Sequence, residues 1–185
     1  MTRKEKILET MLNLIAKQGI QATPMSQIAK EAGVAAGTIY HHFKSKEEII
    51  NEIYLNKKRD LGKLIENNIN TDNDIKTQFF EMWKAIFYYY IENPLVFSFS
   101  QQVYNTHAIT EETKKNGEKF YDKIFFLFQE GINAGHYIEM DVQLMTELIY
   151  SNISKLAELY ISNSLNLSPK ILNDAISFSW RAISK

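Results

Sequence analysis

Apolar residues recur three and four positions apart along almost the whole chain, and no region keeps a period of two for long. That spacing is the signature of one buried face of an α-helix, so the sequence predicts helices and no sheet. Ile7, Leu8, Met11, Leu12 and Ile15 form a first stripe, which stops at Gly19. A second runs through Ile49, Ile50, Ile53, Tyr54, Leu61, Leu64 and Ile65, and Ser45 with Glu48 three residues on predicts a capping box at its start. The three prolines follow Thr23, Asn93 and Ser168, where a good cap precedes a first helical residue that needs no N–H. Further helices are expected over Asp74–Glu92, Leu95–Asn105, Thr110–Gly135, Asp141–Asn166 and Pro169–Ser184, with the polar stretch Asn67–Asp74 as a hinge. The expectation is an all-α chain of about nine helices.

Composition narrows the function. The chain has 185 residues and no cysteine, which excludes disulfides and thiolate metal sites and points to a reducing, cytoplasmic setting. No stretch approaches the roughly 18 apolar residues of a membrane span, and no cleaved signal is visible in the charged first residues. Net charge is −1, but Met1–Lys63 carries 11 Lys/Arg against 7 Asp/Glu and the remainder 10 against 15. A basic head on an acidic body suits a protein that presents one end to a polyanion. There is no phosphate-cradling Gly-rich loop, no thiol nucleophile, no His-Glu-x-x-His and no G-x-S-x-G, so an enzyme is not indicated and no cofactor is implied.

The informative segment is Thr23 to Lys46, TPMSQIAKEAGVAAGTIYHHFKSK. A short helix there buries Ile28, Ala29 and Ala32, and Gly33 follows where a tight turn between crossing helices calls for positive φ. Val34 fills the angle. A second short helix begins near Ala36 and carries Ile39 and Phe43 inward, leaving Thr38, His41 and His42 on other faces. Ala36 and Gly37 are small enough for a backbone to approach bases closely, and His41 can donate or accept at a base edge. A helix-turn-helix places such a second helix in the major groove.

The run IAKEAGVAAGTIYHHFKSKEEII, with its Gly-Val turn, Tyr-x-His-Phe stretch and following lysine, resembles the signature of the tetracycline-repressor (TetR) family. The resemblance is dense from about Lys4 to Tyr54 and rests on helix pattern beyond it. It implies an N-terminal three-helix DNA-binding domain over 1–46, a connecting helix over 46–66, and a ligand-binding and dimerisation domain over 67–185. It further implies phosphate contacts from Thr23, Thr38, Tyr40, His42 and Lys46, with Ala36, Gly37 and His41 nearest the bases. Pro24 and Ser26 stand where family members often carry a hydroxyl and a long polar residue, so base contacts from the first helix of the motif are not implied.

The body is aromatic from Phe79 to Tyr104 and again from Phe120 to Phe128. These rings are either plain core or, in part, the lining of a cavity for a mostly apolar small-molecule effector. The candidates for that lining are Phe80, Trp83, Phe87, Tyr90, Phe97, Gln101, Tyr104, Tyr121 and Phe125, with Gln102 and Asn105 as further polar points. Ile149, Ile153, Leu156, Tyr160, Leu172, Ile176 and Ile183 are the candidate homodimer face on the last two helices, with small residues among them that let helices approach. His107 and His136 read as solvated or capping residues rather than metal ligands. The leading expectation is a dimeric repressor on a pseudo-palindromic operator in double-stranded DNA, released by a small ligand. The other readings are an architectural DNA-binding factor without an effector, and a helical carrier or sensor of hydrophobic molecules.

Overall fold

The computed structural model describes residues 1–104 and 106–185; Asn105, one of the expected polar points, lies outside the described residues. Among the described residues the chain is helical, with no strand beyond an isolated bridge between Tyr137 and Ser184. The helices are α1 (Arg3–Gln18), α2 (Met25–Ala32), α3 (Ala36–His42), α4 (Lys46–Asn68), α5 (Ile75–Glu92), α6 (Pro94–Tyr104), α7 (Glu111–Glu118), α8 (Asp122–Asn133), α9 (Val142–Ile161) and α10 (Pro169–Ile183). A 3-10 turn, Lys119–Tyr121, separates α7 from α8. The all-α class and the N-terminal three-helix module are as expected. The helices form two compact units, one of Met1–Arg59 with Asn93–Glu118 and one of Asp60–Glu92 with Lys119–Lys185.

In the first unit α1 packs against α2, α3 and α6. Its start is a full capping box: the Thr2 hydroxyl accepts from the Glu5 N–H, and the Glu5 carboxylate accepts from the Thr2 N–H at 2.6 Å. Those hydrogen bonds from Thr2 hold the Glu5 carboxyl below its ordinary value. Ile7, Met11, Leu12, Leu14 and Ile15 are buried, and Gly19 closes the helix at φ 86°. The carbonyls of the last turn take donors from α6. Ser98 Oγ donates to the Ala16 carbonyl and Gln102 Nε2 to the Ile15 carbonyl, both at 2.9 Å. Gln102 therefore secures a helix end. At the start of α4, Ser45 Oγ accepts from the Glu48 N–H, while the Glu48 carboxylate reaches past the cap to the Lys44 N–H. The Asn116-Gly117 pair, a combination common in hairpin turns, lies inside α7. There the Tyr54 ring approaches Gly117 so closely that a Cβ would meet it at 2.9 Å.

In the second unit α9 packs against α5, α8 and α10, and α10 also meets α5. Phe79, Phe128, Tyr137 and Trp180 pack ring to ring, with neighbouring centroids 5.6–6.4 Å apart. Trp83 stacks on Phe87 and donates its indole N–H to Ser179 Oγ at 3.1 Å. Ser168 caps α10 through the Ile171 N–H, with Pro169 in the first turn as expected.

Two helix boundaries differ from the sequence reading. The single helix expected over Thr110–Gly135 is broken at Lys119–Tyr121, because the chain there lies directly on α4: a Cβ at Gly62 would stand 2.5 Å from the Phe120 carbonyl oxygen. The helix expected to reach Asn166 ends at Ile161. Asn163 turns left-handed at φ 56°, its N–H bonds the Tyr160 carbonyl, and the Ser164 N–H bonds that of Leu159, which closes the helix. The polar stretch Asn67–Asp74 is tied to α5, where Glu81 accepts from the Asn70 N–H and from Asn73 Nδ2.

Candidate nucleic-acid interface

Local turn chemistry builds the reading element. Gly33 sits at φ 65°, ψ 36°, and its N–H bonds back onto α2. Nothing lies within 4 Å of where its Cβ would be, so glycine is needed for the conformation and not for room. The Val34 N–H then bonds the Ala29 carbonyl at 3.0 Å, which starts α3 at a fixed angle to α2. Gln18 secures the other corner, donating to the Ala22 carbonyl and to Gln27 Oε1.

α3 is anchored by Ile39 and by Phe43 just beyond it, each 1% exposed. With that face fixed inward, Ala36, Gly37, Tyr40 and His41 are exposed, and Thr38 and His42 are half-buried. The space around Gly37 is open to 4 Å, so its backbone can be approached closely. Lys46 opens α4, half-buried, with its ammonium donating to the Ile20 carbonyl. An ammonium has three N–H groups, so two remain for a phosphate. Thr23 stands apart from this set. It is wholly buried and its hydroxyl donates to the Gly19 carbonyl at 2.8 Å, so it braces the α1–α2 corner. Nor does Thr23 cap α2; Pro24 holds that position without a side-chain bond.

One feature lay outside the sequence reading. A groove of about 580 Å³ in the first unit is lined by Gly37, Thr38, His41 and His42 from α3 and by Thr2, Arg3 and Lys4 from the start of α1. The signal was the basic run Arg3-Lys4-x-Lys6, which helical periodicity assigns only to a wet face.

The candidate ligand residues fall in both units. In the second, Trp83, Phe87 and Tyr90 of α5 are buried, and Phe80, Tyr121 and Phe125 are half-buried. The Tyr90 and Tyr150 hydroxyls lie 3.1 Å apart, and burial pushes the Tyr90 phenol well above its ordinary pKa, so it stays neutral. In the first, Phe97 is buried while Gln101 and Tyr104 are exposed. Of the candidate dimer residues, Ile149, Ile153, Leu156, Leu172, Ile176 and Ile183 are buried inside the chain's own second unit, and Tyr160 is exposed. Their helices instead expose Leu144 and Leu148 on α9 and Phe178 on α10, each about half accessible. Among the described residues no cluster of three or more His, Asp or Glu could hold a metal ion, and His107 and His136 are exposed. Among them, too, no helix is long and apolar enough to cross a membrane.

A left-handed glycine between two short helices, with the second helix anchored on one face and bare on the other, defines a helix-turn-helix DNA-binding protein. Comparison with known proteins sharpens that class. Residues 7–53 match the pattern of bacterial regulatory proteins of the tetR family, and residues 74–184 match the tetracyclin repressor-like C-terminal domain. The chain is 30% identical over 181 residues to an HTH-type transcriptional regulator of Haemophilus influenzae, covering 98% of this chain and 95% of that one. It is 26% identical to the regulator QacR of Staphylococcus aureus over the full length of both. A crystal structure of a tetR family transcription regulator from a Shewanella species superposes with a TM-score of 0.92 at 25% identity, covering both chains completely. The chain belongs to the TetR family of transcriptional regulators, whose members are not enzymes.

Proposed function

We propose that the chain acts as a homodimeric repressor, cytoplasmic, whose two α3 helices read a pseudo-palindromic operator in double-stranded DNA and whose larger C-terminal part releases it on binding a small, mostly apolar effector. The observation that carries this reading is α3 itself, buried at Ile39 and bare at Ala36, Gly37, Tyr40 and His41. In this reading Ala36, Gly37 and His41 meet base edges, and Thr38, Tyr40, His42 and Lys46 hold phosphates. Thr23 serves by bracing the turn. The functional division stays at 1–46 for DNA binding, 46–66 for the connecting helix and 67–185 for sensing and pairing.

So short a helix reads too few bases to be selective alone, which favours two copies on successive turns of the duplex. α9 and α10 are the pairing helices, with Leu144, Leu148, Tyr160 and Phe178 meeting the second copy. Ile149, Ile153, Leu156, Leu172, Ile176 and Ile183 support that face from beneath. The effector site is assigned to the aromatic residues of the second unit, with the Tyr90 and Tyr150 hydroxyls as a polar point that suits an uncharged group. An effector must favour the DNA-free conformation; a tenfold loss of operator affinity needs a preference of about 1.4 kcal/mol. The test is a mobility-shift titration of duplexes enriched by the protein from a random pool, combined with sedimentation. The wild type should bind a two-fold site as a dimer, and Leu148→Glu should give a folded monomer that binds poorly. A wild type monomeric at micromolar concentration, or without preference for any sequence, would overturn the proposal.

A further inference from the structure

The groove beside α3 has two walls of different kinds. One is the Gly37, Thr38, His41 face of α3 with His42; the other is the start of α1, with Thr2, Arg3 and Lys4. The cations on the α1 wall are not equivalent. Lys4 is held at 2.7 Å by Glu52 and lies over the Phe43 ring, which fixes it to the module. Arg3 is exposed, and no ion pair or hydrogen bond engages its side chain among the described residues. No carboxylate lines the groove: Glu5, the acid nearest in sequence, is turned onto the Thr2 N–H, and Glu52 onto Lys4. A guanidinium and two imidazoles therefore face one open space without an anion of the protein's own.

A guanidinium fork matches two oxygens of a phosphate, whereas a single ammonium offers a point charge. Resting on the reading that α3 enters the major groove, we propose that Arg3 is an additional DNA contact, gripping a backbone phosphate beside the base pairs that Gly37 and His41 face. The start of α1 thus extends the footprint of the recognition helix along the strand. Nothing in the helix-turn-helix pattern assigns this contact, because Arg3 lies some thirty residues before α3 in the chain. It adds affinity without adding a base preference, since every nucleotide carries the same phosphate.

Two DNA probes separate this contact from base reading: a random-sequence duplex and a duplex enriched by the protein from a random pool. Arg3→Ala should weaken binding to both by the same factor and reduce the slope of log affinity against log salt by about 0.9. Arg3→Lys should restore most of that slope, which shows that charge and not helix integrity was lost. An unchanged slope and affinity in Arg3→Ala would overturn the assignment, as would a loss confined to the enriched duplex, which would make Arg3 a base reader. If the wild type itself bound neither duplex, the DNA-binding reading as a whole would fall. That outcome is distinct from a wild type that binds and a variant that binds equally well.

Discussion

α3 and α9 both carry apolar residues at helical spacing, yet the two helices use that pattern differently. In α3 one anchor, Ile39, goes inward and nearly everything else faces out, so the division into structural and functional residues is simple. In α9, Met145, Ile149, Ile153 and Leu156 are buried within the chain while Leu144 and Leu148 stand exposed, so the helix has two apolar faces with different owners. Periodicity identifies an apolar face but not what covers it. A helix apolar on one side packs on its own chain; one apolar on two sides has a face left over.

The sharpest way to break this contrast is to shorten one residue on each face of α9. Ile153→Ala should destabilise the fold by about 2–5 kcal/mol, as a buried isoleucine loses its packing. Leu148→Ala should stay within about 0.5 kcal/mol in a monomer, because it lies on the surface. Urea titration of both variants at protein concentrations low enough to disfavour pairing reads the difference, and equal losses would erase the distinction between the faces. A second test asks whether the aromatic body depends on its few polar bonds. Ser179→Ala leaves the Trp83 indole N–H buried without its acceptor and should cost about 1–3 kcal/mol, where the exposed serine at 151 tolerates alanine.

The N-terminal module should fail differently, through its backbone. Gly33→Ala forces a side chain into a left-handed turn and should cost about 1–2 kcal/mol although no atom crowds the position. Mobility shifts should show DNA affinity falling by more than the urea midpoint explains, since the angle of α3 is set there. The smallest effect concerns acid. The Asp74 carboxylate accepts from the Thr77 hydroxyl and from the Lys76 and Thr77 N–H groups at the start of α5, and these bonds lower its pKa. With a depressed folded pKa, its contribution is present above the ordinary carboxylate range and is lost as pH falls through the folded value. Thermal melts should therefore show Asp74→Asn differing from wild type near neutrality and converging with it in strong acid.

Much of this architecture was legible in the sequence, for reasons that differ along the chain. Gly33 and the Ile39–Phe43 pair are local: the turn demands a glycine and the anchors lie four residues apart, so a short stretch suffices. Ser168-Pro169 announces the start of α10 for the same reason. The break at Lys119–Tyr121 was not legible, because the segment packs on Gly62, in another helix and more than fifty residues away. The candidate dimer residues show a related limit, since Ile149 and Leu148 are adjacent in sequence and only packing tells which is covered. Thr23 is buried at the α1–α2 corner, and a hydroxyl that meets a phosphate and one that braces a corner have the same one-letter code.

Gly131 and Tyr137 lead beyond stability. The tyrosine ring occupies the space a Cβ on residue 131 would need, and Ile75 closes the slot from α5. Neither position can therefore drift alone. Alanine at 131 must evict the ring, while a smaller residue at 137 leaves a hollow that only a larger neighbour at 131 refills. The double substitution should be less harmful than the sum of its parts. Such a pair is inherited as one character, and a lineage that changes it must cross a poorly folding intermediate or change both residues together.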